Sequence, residues 1–257
     1  MNRYPPIEVI KSLRTESNFK CSIPNCDIPY LEYHHFDPPW HILNHHNPNG
    51  MISLCPQHHR QADAHAWTAE QLTDLKTKNQ SEEIEDVIKG KFNYLRNQFL
   101  LYAGGNYFFN NSKAEIVVRN HPIVWFEINE NGLKQLNVIL FNDKGEIYFH
   151  IENNSWKVKN NVKDLECPPN GKLLHVKFDN GNYIKIEFKE LDTIEKLEKN
   201  IDHHHVEGFQ NILPITLLKI NLKMIEFKID FQSNKIVNRN ITNKNCLSSY
   251  NAIGMRL

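Results

Sequence analysis

No stretch of this chain approaches the roughly 18 consecutive apolar residues of a membrane-spanning helix. The opening residues Met1-Asn2-Arg3-Tyr4-Pro5-Pro6 are not followed by the apolar run of a secretory signal. Both absences point away from the membrane, and the expected location is the cytoplasm. Net charge is lacking too, since 30 Lys and Arg offset 30 Asp and Glu. A nucleic-acid binder often carries a basic excess, so any such role has to rest on local features. Cysteine is sparse and odd in number: Cys21, Cys26, Cys55, Cys167 and Cys246. That count argues against a disulfide framework and for a reducing compartment. A repeat of fixed period is also missing, which excludes a solenoid.

What is present begins with enough material for a core. The 257 residues suffice for one large domain or two ordinary ones, with 40% hydrophobic against 23% charged. Histidine is concentrated in one place. Eight of the 14 lie between positions 34 and 65: His34, His35, His41, His45, His46, His58, His59 and His65. Three of the cysteines share that neighbourhood. Imidazole is available near pH 7 for both proton transfer and metal ligation.

The periodicity predicts an α+β fold. Residues 7–16 form a short amphipathic helix after Pro5-Pro6. Residues 19–65 are rich in Pro, Asn and His and poor in apolar side chains, so their order needs metal. Thr68 opens a helix, with Gln71 three residues on as a capping box. Ser81 is expected to cap a second helix, carried by Ile84, Val87, Ile88, Phe92, Leu95 and Phe99 and stopped at Gly104-Gly105. Seven acids stand against three lysines in residues 61–90, which marks a solvated connector rather than a nucleic-acid face. From Asn106 onward short β-forming runs are separated by turn signals, Asn131-Gly132, Asp143-Lys144-Gly145 and Asn180-Gly181. The expected organisation is therefore three parts. Residues 1–80 carry the Cys/His segment, 81–104 a connecting helix, and 105–257 a mostly antiparallel β domain for oligomerisation, sensing or substrate placement.

Two sets of residues carry chemistry. Cys21-x4-Cys26 and Cys55-x2-His58 are pairs of soft ligands, each on a short turn, which can close a tetrahedral zinc site. Unligated buried thiols are the alternative. His34-His35 follows the β-like run Tyr30-Leu31-Glu32-Tyr33, and His59 follows His58 at the head of a helix. A strand, a turn and a helix so arranged gather several imidazoles around one point. A divalent ion there can stabilise the charge developing on a phosphodiester, and a free imidazole can deprotonate the attacking water.

The order and spacing of Phe19-Lys20-Cys21, Cys26, Leu31-Glu32-Tyr33-His34-His35-Phe36-Asp37-Pro38 and Asn49-Gly50-Met51-Ile52-Ser53-Leu54-Cys55-Pro56-Gln57-His58-His59 resemble an HNH endonuclease. The resemblance covers roughly residues 14–75. It implies a ββα-metal fold braced by a zinc knuckle, and cleavage of DNA, less often RNA, with Mg²⁺ or Mn²⁺. It makes His35 the general base, and His34 and His59 metal ligands. Asp63, four residues after His59, is a further ligand, with His65 its rival. Cys21, Cys26, Cys55 and His58 hold structural zinc. The middle Asn of the family falls at Gly50 here. Asn49, one step away, is expected to take its role of orienting the base or fixing the loop, with His46 and Asn47 as rivals.

Other features admit more than one role. His41, His45 and His46 contact phosphate or are polar loop residues. Trp40 is expected to pack over the zinc loop, and His203-His204-His205 to be an exposed loop. Residues 211–257 hold seven basic residues, Lys219, Lys223 and Lys228 among them, against Glu226 and Asp230. These lysines either contact nucleic-acid phosphates or line the solvent face of strands. The leading expectation is a nuclease acting on DNA, in bacterial anti-phage defence or restriction. The alternatives are a non-catalytic zinc module that binds nucleic acid or protein, and an assembly scaffold that forms a homo-oligomer through the β domain.

Overall fold

The structure is a computed structural model that describes residues 2–81, 87–159, 161–225, 229–232, 235–238, 241–243 and 246–257. Helix α1 (Ile7–Glu16) follows Pro6 and buries Ile10, Leu13 and Arg14, spaced one turn apart. Strands β1 (Glu32–His35) and β2 (Met51–Leu54) pair antiparallel, with Glu32 opposite Leu54 and His35 opposite Met51. Helix α2 (Pro56–Asp63) starts at once, with Pro56 at its first position, where a missing N–H costs nothing. Helix α3 (Ala69–Ser81) has the expected capping box. The Thr68 N–H donates to Gln71 Oε1 at 2.9 Å, and the Gln71 N–H donates to Thr68 Oγ1 at 3.2 Å. This strand-strand-helix unit has only a small core of its own, built on Cys21, Leu31, Phe36, Ile52, Leu54, Cys55, Ala62 and Leu72.

The rest of the chain is mostly strand. First come β3 (Val87–Lys91), β4 (Phe99–Ala103), β5 (Asn106–Phe109), β6 (Ala114–Val118) and β7 (His121–Ile128). β8 (Lys134–Phe141), β9 (Ile147–Glu152), β10 (Ser155–Lys159), β11 (Val162–Glu166), β12 (Leu173–Phe178) and β13 (Tyr183–Leu191) follow. Two short helices, α4 (Ile194–Glu198) and α5 (Val206–Gln210), precede β14 (Ile215–Met224). β15 (Ile229–Phe231), β16 (Ile236–Asn238), β17 (Ile241–Asn243), β18 (Leu247–Ser249) and β19 (Ile253–Arg256) come last. One sheet runs β19-β6-β7-β8-β9-β10-β3, and the other β11-β12-β13-β14-β15-β16-β17, joined by β4, β5 and β18. The three turn signals do make hairpins, β7–β8, β8–β9 and β12–β13. Pairing is mostly antiparallel, with β4–β14, β5–β18 and β6–β19 parallel.

The connecting helix expected over 81–104 does not form. Ser81 ends α3, residues 82–86 lie outside the described ones, and Val87–Lys91 and Phe99–Ala103 are strands. Trp156 of β10 stands directly opposite Gly90, and a Cβ on Gly90 would come within 2.3 Å of the indole. Ile88, Phe92 and Phe99 are apolar because the shared core takes them, not because they line a helix. That core is common to both sheets, with Ile116, Val138 and Phe149 from one and Leu174, Ile186 and Ile220 from the other.

The second sheet has another face, and it is divided. Leu191, Ile215 and Leu217 at one end are covered by Leu197 of α4 and Phe209 of α5. At the β11 edge, α1 docks: Arg14 is 3% exposed and holds Asp164 through two hydrogen bonds of 3.1 and 3.0 Å. Between these covers the face is polar. Among the described residues no helix is long and apolar enough to cross a membrane.

Candidate active site and metal centres

The first centre lies at the base of the strand-strand-helix unit. Cys21 and Cys26 sit on a turn tied by hydrogen bonds from Cys21 N to Ile28 O at 3.0 Å and from Cys26 N to Ile23 O at 3.1 Å. Cys55 precedes α2, and His58 stands in its first turn. Cys21 Sγ and Cys55 Sγ lie 3.2 and 3.4 Å from His58 Nδ1, and Cys26 Sγ is 4.0 Å from Cys55 Sγ. The four ligand atoms lie within 4.8 Å of one another, close enough to hold a metal ion. Burial pushes the Cys21 and Cys26 thiols up, and Cys55 adds to both shifts. The ring packed beside His58, at 5.9 Å, is Trp67 rather than Trp40.

The second centre joins β1 to α2. His59 and Asp63 are four residues apart on one face of the helix, and His34 of β1 faces them. One ligand atom from each lies within 4.8 Å of the others. His34 and His59 meet edge to face, with centroids 5.2 Å apart and an interplanar angle of 85°. His34 Nδ1 is 3.3 Å from Asp63 Oδ1, yet it is a buried nitrogen with no aligned hydrogen bond. An orphaned imidazole nitrogen aimed at a second imidazole and a carboxylate fits a cation at their centre. Burial first, and then His59, holds the His34 pKa down at about 4, so the ring is a neutral donor near pH 7. Glu32, two residues before His34 on the same strand face, brings Oε2 to 3.3 Å from His59 Nδ1. Sequence reasoning missed this carboxylate, although the strand period of two signals it.

His35 is not part of that group. It is 4% exposed, and its ring packs on Trp40 at 4.8 Å, His45 at 5.3 Å and His46 at 5.7 Å. Carbonyl oxygens only accept hydrogen bonds, which fixes the tautomers around it. His46 Nε2 donates to Asn2 O at 2.9 Å, leaving His46 Nδ1 as the acceptor that His35 Nε2 approaches at a long 3.5 Å. His35 Nδ1 is buried and makes no aligned hydrogen bond. Burial, then His45 and His46, lowers the His35 pKa to about 4.

The loop below His35 leaves no room for a side chain at position 50, where the resemblance places an Asn. The Gly50 carbonyl accepts from Phe36 N at 2.9 Å and Asp37 N at 3.3 Å, and a Cβ at Gly50 would fall 1.8 Å from Asp37 O. No side chain fits there. Asn49 is exposed on the adjoining turn, where its N–H donates to Asn47 Oδ1 at 3.1 Å. Its side chain makes no hydrogen bond to His35 among the described residues. The loop is tied instead by His45, whose Nε2 donates to Pro38 O at 2.8 Å while Nδ1 accepts from Asn47 N at 3.1 Å.

A cavity of about 730 Å³ opens beside the second centre, with His59, Asp63, Arg3, Tyr33 and Glu166 in its walls. Arg3 acts electrostatically on both His34 and His35. Lys219 and Lys223 project from the polar face of β14; burial lowers the pKa of Lys219, which lies 5.8 Å from the Tyr102 ring. Lys228 lies outside the described residues. His203–His205 form a turn with exposed and half-exposed rings. In comparisons with known proteins, no protein-family model, no curated protein and no solved structure matches this chain.

Proposed function

We propose that the protein is a metal-dependent endonuclease of the HNH type, cutting phosphodiester bonds in nucleic acid, with DNA the expected substrate. The observation that carries this reading is the convergence of His34, His59 and Asp63 on one point of a strand-strand-helix unit. These three would hold a divalent ion, and the ion supplies charge stabilisation at the phosphoryl group and its leaving oxygen. Two imidazoles and one carboxylate favour Mn²⁺ over Mg²⁺, since nitrogen donors suit later metals. His35, the base that the resemblance assigns, would take the proton of the attacking water once the Trp40, His45 and His46 rings packed on it give way. His46 packs against its ring, and His45 fixes the loop, with Asn49 left at the rim.

Cys21, Cys26, Cys55 and His58 serve as the structural zinc site. A tetrahedron with Zn–S of about 2.3 Å and Zn–N of about 2.0 Å has edges of roughly 3.5–3.8 Å. The separations of 3.2, 3.4 and 4.0 Å bracket that range. The small core of this unit makes such a brace necessary.

A second reading, a zinc-stabilised binding module without catalysis, is favoured by one observation: Trp40, His45 and His46 cover His35. Purified protein incubated with plasmid DNA and with RNA, in Mn²⁺ and in Mg²⁺, separates the two. Metal-dependent cutting that disappears in His35→Ala supports the nuclease. Binding of either polymer without any cutting supports the module.

A further inference from the structure

The polar part of the second sheet gathers cations that no sequence window brings together. Strand pairing sets His175 beside Lys185, Lys177 beside Tyr183, Lys185 beside Asn221 and Tyr183 beside Lys223. Lys163, His175, Lys177, Tyr183, Lys185 and Asn221 border a cleft of about 600 Å³, in which Asp179 is the one acid among the described lining residues. Lys163, Lys177 and Lys185 form no ion pair among the described residues. A cleft walled by cations on a low-dielectric sheet focuses positive potential, even in a chain of zero net charge. On its floor Asn221 Oδ1 is buried and lacks a hydrogen-bond donor. Tyr183 offers an aromatic ring among the lysines.

The cleft also adjoins the cavity of the candidate active site. Glu166 lines the cavity that contains His59 and Asp63, and its Oε2 lies 3.9 Å from Nδ1 of His175, which lines the lysine cleft. The Glu166–His175 pair stands between the two spaces. The α1 docking through Arg14 and Asp164 keeps the strand-strand-helix unit on this same sheet face.

We propose that this cleft, with Lys163, Lys177, Lys185 and Tyr183 as its contacts, is the track on which the sugar-phosphate backbone of a nucleic acid lies as it leads to the metal centre. The proposal rests on the nuclease reading for its direction but not for its binding chemistry. The lysines neutralise phosphates, and the Tyr183 ring stacks a base. The Lys219 and Lys223 positions extend the same face.

The test uses the full-length, zinc-loaded protein and 30-nucleotide DNA and RNA probes in fluorescence anisotropy, without added divalent ion, across a salt series. In the Lys163→Gln, Lys177→Gln, Lys185→Gln triple variant, affinity should fall on the order of tenfold or more. The salt slope should flatten by about 2–3, at roughly 0.7–0.9 for each phosphate no longer neutralised. A Lys196→Gln, Lys199→Gln variant on α4 should bind as wild type does. Mn²⁺-dependent hydrolysis of bis(p-nitrophenyl) phosphate, too small to reach the cleft, should be unchanged in the triple variant. Unaltered affinity and slope in the triple variant, an equal loss in the α4 variant, or no wild-type binding to either probe would overturn the track. Wild-type binding that disappears in the triple variant, with no hydrolysis of any diester, would leave the track standing and remove the nuclease reading.

Discussion

His34 and His35 are consecutive residues whose rings leave β1 on opposite faces, one toward His59 and Asp63 and the other toward Trp40, His45 and His46. The proposed metal-holding and base roles are thus separable by mutation. His46→Ala should leave Mn²⁺ affinity at the His34 centre unchanged, because His46 touches the other face. It should lower the cleavage rate on the order of tenfold, within the range attributed to general-base catalysis. Isothermal titration with Mn²⁺ beside a single-turnover cleavage assay reads both quantities. Equal loss of metal affinity and rate would show that the two faces act as one.

Gly50 should be intolerant of any side chain. A Cβ there would fall 1.8 Å from the Asp37 carbonyl oxygen and 3.0 Å from the His45 ring, which leaves little room to yield. Gly50→Ala is expected to destabilise the strand-strand-helix unit by about 1–3 kcal/mol, as overpacking does. Gly50→Asn, the residue that the HNH resemblance places here, should do no better. Urea denaturation followed by tryptophan fluorescence measures the loss.

Arg14 should be the most costly residue of α1 to truncate. It is 3% exposed, and the Asp164 side chain it holds is 14% exposed. Removing one member of a buried pair leaves an uncompensated charge, which costs about 3–5 kcal/mol. Arg14→Met should approach that figure, and Arg14→Met with Asp164→Leu should recover part of it. Thermal melts of the three proteins are sufficient.

His150 of β9 supplies a pH dependence away from both candidate metal centres. Burial first, and then Lys157 and Lys159, lowers its pKa from the ordinary 6.5. Below pH 6.5 the unfolded chain takes up a proton here that the folded chain resists, so this contribution to stability falls as pH drops and is level above 6.5. His150→Gln should remove the slope. Unfolding free energies of both proteins at pH 7.5 and 5.5 decide it, and an identical fall in both would contradict the assignment.

The parts of this fold legible in the sequence are those set by neighbours along the chain. The 7–16 helix, the Thr68/Gln71 box and the three hairpin turns each rest on interactions a few residues apart. The Cys/His ligand pairs are legible for the same reason, because each pair sits on one turn. The region 81–104 reads wrongly as helix because the spacing of Ile88, Phe92 and Phe99 suits a helix as well as strands. What decides it is the pairing of β3 with β10 and β4 with β14, which are distant in sequence. Gly90 is the local warning, since glycine is a poor helix former. The lysine cleft is illegible because its residues come from four strands. The roles of His45 and Gly50 are hidden because they depend on where the Asp37 and Pro38 carbonyls point.

The central claim is a divalent ion shared by His34, His59 and Asp63. Mn²⁺ binding to the zinc-loaded protein, counted by electron paramagnetic resonance, tests it most directly. One Mn²⁺ per chain is expected in the wild type and in His35→Ala, and none in His59→Ala or Asp63→Ala. Binding that persists in both of those variants, or a wild type that binds no Mn²⁺, would contradict it.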